Sequence, residues 1–78
     1  MMATVDYAAK SGIWTVHSEF EKRPMLRGFA KTKAEAEKMM ADLKAADRDA
    51  AETEYWLLEL SNGALEDFRN FGMLPPGF

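Results

Sequence analysis

The sequence predicts a small α+β domain: a single-layer antiparallel sheet of three or four strands, ordered strand, strand, strand, helix, strand. One amphipathic helix covers the sheet, and a short C-terminal helix follows. Three observations predict it. Ile13 to Phe20, IWTVHSEF, alternates with period two. Thr32-Lys33-Ala34-Glu35 has the form of a capping box ahead of apolar residues at helical spacing. Glu54 to Leu60, EYWLLEL, is a nearly continuous aromatic and apolar run of strand length.

The elements follow in order. Thr4 to Tyr7 alternates polar and apolar residues before Ser11-Gly12, which suggests a short first strand and a turn, although that strand is dispensable to the scheme. In Ile13 to Phe20, Trp14, Val16, Ser18 and Phe20 share one parity while Ile13, Thr15, His17 and Glu19 share the other, so one face should be buried and one wet. Glu21 to Pro24 supplies a charged turn with Pro24 at its corner, because proline has no N–H for a ladder. Met25 to Ala30 returns as a strand whose core-facing parity is left open. Gly28 inside it marks a bulge or a close backbone approach.

The helix begins at Thr32, whose hydroxyl can accept from the Glu35 amide while the Glu35 carboxylate reaches back to the Thr32 amide. Ala36, Met39, Met40 and Leu43 form its apolar stripe, and Asp47-Arg48-Asp49 ends it. Glu54 to Leu60 then reads as a central strand, stopped by Ser61-Asn62-Gly63. Two readings compete beyond it. Asn62-Gly63 is a hairpin signal, but Leu65, Phe68 and Phe71 recur at helical spacing and Gly72 stands where a helix places its C′ glycine; the helix Ala64 to Phe71 is the favoured reading. The tail Met73 to Phe78 is apolar but interrupted by Pro75, Pro76 and Gly77, so it either lies along the domain or is presented to a partner.

The 78 residues allow one domain, spanning 1–78, with a thin stability margin. Without cysteine, neither disulfides nor thiolate ligands hold the core. No signal-like start and no run near the ~18 apolar residues of a membrane span is present, so the expected location is the cytoplasm and no membrane association is expected.

The net charge of −3 argues against a general polyanion binder. The charge is segregated, however: Glu21 to Lys33 carries five bases (Lys22, Arg23, Arg27, Lys31, Lys33) against one acid, whereas Ala34 to Asp67 carries ten acids against three bases. Arg27 to Glu37, RGFAKTKAEAE, resembles the strand-to-helix junction of the arm-type DNA-binding domains of phage integrases, in which a three-stranded sheet precedes a capped helix. The likeness spans about Ile13 to Leu43. It implies a sheet face entering the major groove, with Lys22, Arg23, Arg27, Lys31 and Lys33 on the phosphates. This chain departs from that pattern in its apolar strand after the helix and its acidic second half.

The chemical signals are sparse. His17 is a lone imidazole on the wet parity, and the adjacent Ser18 falls on the opposite parity of the strand. Asp47, Asp49 and Glu52 lack the glycine and the final glutamate of an EF-hand. Glu19 and Glu59 are a conceivable cross-sheet carboxylate pair, although solvated strand positions explain them as well. No phosphate loop, nucleophile elbow or HExxH helix is present, so the expectation is a non-enzyme without cofactor or metal. Tyr55 and Trp56 have opposite parity, so one of them should leave the helix-covered face.

These readings converge on a protein-binding module, an adaptor, regulator or inhibitor that docks on a larger bacterial or phage protein, which could be one that handles nucleic acid. Tyr55, Glu59, Glu66, Asp67, Phe71, Met73 and Phe78 are the expected contact residues. The alternative is a weak nucleic-acid binder using the basic set named above. Self-association into a homodimer through a sheet edge or the tail is a third possibility.

Overall fold

The computed structural model describes residues 6–78. Its elements are β1 (Lys10–Phe20), β2 (Arg23–Ala30), α1 (Lys33–Ala46), β3 (Glu54–Ser61) and α2 (Asn62–Asn70). The three strands form one antiparallel sheet in the order β2-β1-β3. Of the expected first strand, Thr4 and Val5 lie outside the described residues. Asp6 and Tyr7 belong to a turn in which the Asp6 carboxylate accepts from the amides of Ala8 and Ala9.

Ser11-Gly12 is not the expected turn but an irregularity inside β1. Lys10 pairs with Ser61 and Trp14 with Glu59, so Ser11, Gly12 and Ile13 together oppose Leu60 alone. The Ser11 hydroxyl donates to the Leu60 carbonyl at 2.8 Å and accepts from the Ile13 amide, replacing ladder bonds that the extra residues disrupt. Gly12 takes φ +85°, a value side chains resist.

The hairpin between β1 and β2 closes through Glu21 and Lys22 alone, with Phe20 opposite Arg23. Both loop residues have positive φ, 51° and 64°, as a type I′ turn requires. Pro24 therefore stands inside β2, opposite Glu19, and not at the corner. It is tolerated because β2 is an edge strand with one side free of ladder bonds.

Gly28 satisfies both of its readings. The register slips between Val16 and His17 where β2 carries Arg27 as an extra residue, and a Cβ on Gly28 would run into the terminal methyl of Met39.

Helix α1 starts as expected, with the Thr32 hydroxyl accepting from the Glu35 amide at 3.1 Å. The Glu35 carboxylate takes the Lys31 amide at 3.2 Å rather than that of Thr32. Its methionine stripe lies on the Trp14–Val16 parity of β1. Val16, Ala30 and Ala36 are buried at the centre, and Trp14, Met39, Met40, Leu43 and Leu57 pack around them. Full burial of Val16 contributes about 1.5–3 kcal/mol, and the partly buried side chains around it contribute less each.

Asn62-Gly63 opens α2 instead of turning a hairpin. Ser61 is the N-cap, accepting from the Ala64 amide, while the Asn62 and Gly63 amides donate to the carbonyls of Ala9 and Tyr7. The first free amides of the helix thus find partners in the segment before β1. The helix ends in a full Schellman motif: the Met73 amide donates to Phe68 O and the Gly72 amide to Arg69 O, with Gly72 at φ +69°.

Two further sequence expectations change. The central strand is β1, not Glu54–Leu60. The apolar residues of β3 reflect partial cover on both faces, not neighbours on both edges. The face assigned to water is also partly closed, because Phe68 of α2 meets Phe29 edge-on at 5.4 Å, on the side of the sheet away from α1. Thr15 is consequently fully buried.

Candidate functional site

The expected protein-contact residues fall into two groups on opposite faces of the sheet. Tyr55 and Glu59 share the α1 face, opposite Ser18 and Trp14 of β1 respectively. The Tyr55 hydroxyl donates to the Asp47 carboxylate at 2.6 Å. That bond, with the Asp49 amide donating to the same carboxylate, holds Asp47 below the usual carboxylate range and pushes the Tyr55 phenol above its ordinary value. Asp47 is thereby committed to closing the α1–β3 connection, and among the described residues no three carboxylates or imidazoles are gathered in a group that could hold a metal ion. Trp56 is the aromatic that leaves the α1 face.

Glu66, Asp67, Phe71 and Met73 belong to α2 and its cap. Glu66 pairs with Arg69 at 3.1 Å, one turn along the exposed side of the helix. Phe71 is 78% exposed and Met73 52% exposed, although apolar spacing alone would place Phe71 with Leu65 and Phe68. The Schellman motif turns the chain at Gly72 so that Met73 comes back beside Phe68. A shallow hollow of about 330 Å³ results, lined by Ala64, Asp67, Phe68, Phe71 and Met73. Phe78 lies elsewhere: its ring is 6.1 Å from that of Phe29, with the Lys31 ammonium 5.4 Å above it. The tail end lies along the domain.

The basic set is divided. Lys22 and Arg23 sit at the hairpin tip and Lys31 and Lys33 at the other end of β2, about 25 Å away at the rise of an extended strand. Lys31 and Lys33 cover the rings of Phe78 and Trp14. Arg27 projects on the α1 face, where its guanidinium donates to Ser18 Oγ at 3.2 Å. The five charges implied by the integrase-like junction are therefore spread along the length of β2, with Lys31 and Lys33 drawn over aromatic rings.

His17 is half-buried rather than free on a wet face. Its ring stacks on Trp56, with centroids 5.5 Å apart and 8° between planes, and its Nε2 lies 2.6 Å from the Thr15 hydroxyl. Burial lowers its pKa. Glu19 and Glu59 have opposite parity and do not meet; Glu19 instead faces Glu54 across the β1–β3 ladder.

One feature escaped sequence reasoning. Beyond the C-terminal end of α1, a groove of about 640 Å³ collects Arg23, Arg27 and Arg48 from the hairpin and the α1–β3 connection. Arg48 is separated from Arg23 by a whole helix, and only the topology joins them.

Comparison with protein-family models, with curated proteins and with solved structures finds no match for this chain. No helix among the described residues is long and apolar enough to cross a membrane.

Proposed function

We propose that this chain is a non-enzymatic protein-binding module, an adaptor, regulator or inhibitor that docks through α2 and its cap on a larger protein. The larger protein would be bacterial or phage, of the kind that handles nucleic acid, and the encounter would take place in the cytoplasm. The observation that carries this reading is the α2 hollow. Phe71 and Met73 stand exposed at the hydrogen-bonded end of α2, where the isolated domain leaves much of their apolar surface uncovered. Asp67 at the edge of the hollow and Glu66 beside it favour a partner that offers an apolar residue flanked by basic ones.

The test is affinity purification of the tagged chain from its native host, with nuclease treatment before mass spectrometry. A stoichiometric protein that survives nuclease and is lost from the Phe71→Ala, Met73→Ala double variant is the expected result. Phe71 is 78% exposed and Met73 is half covered beside Phe68, so only a small fall in the melting temperature is expected, and a thermal melt of the variant separates it from the loss of binding. Anchors of this kind typically contribute about 2 kcal/mol or more to binding. Recovery of nuclease-sensitive material alone would overturn the proposal.

A further inference from the structure

From the groove beyond the end of α1 we infer a second binding site, one that takes an acidic peptide segment carrying an apolar side chain. It lies on the α1 face of the sheet, away from the α2 hollow, and does not depend on the function proposed for that hollow.

Arg23, Arg27 and Arg48 converge on the groove from β2 and the α1–β3 connection, and all three are exposed. Among the described residues, none of them lies within ion-pairing distance of a carboxylate; the ion pair found is Arg69 with Glu66, on α2 away from the groove. This holds although Asp47 and Asp49 line the same groove. Asp47 is engaged by the Tyr55 hydroxyl and the Asp49 amide, so its charge is already directed into the fold. Arg27 is steadied by Ser18, and its charge also acts on Asp47 and Tyr55 beside it, so Arg23 and Arg48 are the freer of the three. Three planar guanidinium forks with donors to spare are suited to carboxylates, which they bind in bidentate fashion.

The floor between them is apolar, formed by Phe20, Met25 and Leu43, and Met25 is 59% exposed. An apolar floor under an arginine rim is complementary to a segment in which Asp or Glu flanks a Leu, Met or aromatic residue. A nucleic-acid backbone is favoured less, because the wall also carries two aspartates, and Lys31 and Lys33 lie at the other end of β2 over the Phe78 and Trp14 rings.

The test selects a random displayed peptide library against the immobilised full chain and measures the enriched peptides by fluorescence polarisation. Enriched sequences should pair acidic residues with an apolar one. Their affinity should fall about tenfold for Arg48→Gln and again for Arg23→Gln, the scale of a charge-assisted hydrogen bond. The Phe71→Ala, Met73→Ala variant should bind them unchanged. Thermal melts of the arginine variants, both at exposed positions, separate loss of binding from loss of fold. Failure to enrich, enrichment of basic peptides, or indifference to Arg48→Gln would overturn the inference. So would an oligothymidylate that binds the groove and displaces the peptides, since the ligand would then be nucleic acid.

Discussion

At the scale of single residues, the hairpin tip carries the clearest stored strain. Glu21 and Lys22 both hold left-handed backbone that side chains with a Cβ resist, and Asn-Gly is the pair suited to such a turn. The Glu21→Asn, Lys22→Gly variant should therefore be more stable by about 1 kcal/mol, read as a higher urea midpoint at unchanged slope. His17 supplies a second prediction. Burial holds its imidazole below the ordinary value of 6.5, so the unfolded chain takes up the proton first as the pH falls. Stability from the neutral ring is intact above pH 6.5 and is lost as the pH drops through the window below it. Urea midpoints at neutral and mildly acidic pH should diverge for the parent and less so for His17→Gln. The alternation of IWTVHSEF revealed on which parity His17 and Thr15 lie. It did not reveal that Thr15 is buried, because the element covering it, α2, is contributed from the far end of the chain.

At the scale of elements, what could be read in the sequence divides along the range of the interaction. The Thr32 cap and the Ala36, Met39, Met40, Leu43 stripe are properties of neighbouring residues and appear as read, except that the Glu35 carboxylate reaches one residue further back, to the Lys31 amide. Ser11-Gly12 and Asn62-Gly63 are ambiguous locally, since glycine with a small polar residue serves turns, bulges and helix starts alike. The outcome depended on distant partners: Leu60 for Ser11, and the carbonyls of Tyr7 and Ala9 for the start of α2. The divided placement of the basic set, and the meeting of Arg23, Arg27 and Arg48, are likewise products of topology. The caps of α2 are testable. Ser61→Ala should cost about 1 kcal/mol through loss of the N-cap. Gly72→Ala should cost about 1 kcal/mol through its positive φ. Hydrogen exchange should show both changes concentrated in the amides of Asn62–Asn70, with β1 protected as before.

At the scale of the whole molecule, a small core is spread over a long body. The principal extents are 54 × 24 × 21 Å, and the buried apolar residues are Val16, Ala30, Ala36 and Leu60. Val16 is fully enclosed, so Val16→Ala should cost about 2–3 kcal/mol, a large share of what so small a domain has, and the thermal midpoint should fall accordingly. The two sheet edges are also unequal. β2 is blunted by Pro24, Arg23, Arg27 and a bulge, whereas β3 presents Tyr55 to Leu58 without charge or proline. The arrangement of the strands has a kinetic consequence as well. β1 is central, yet its second neighbour is β3, and bonds such as Thr15 to Leu58 span 43 residues. During synthesis the β1–β2 hairpin and α1 can form as soon as they emerge, but one side of β1 stays unsatisfied until Glu54–Ser61 has left the ribosome. Closure of that side is the expected slow step of folding, and a nascent chain paused before residue 54 would be the form that most needs a chaperone.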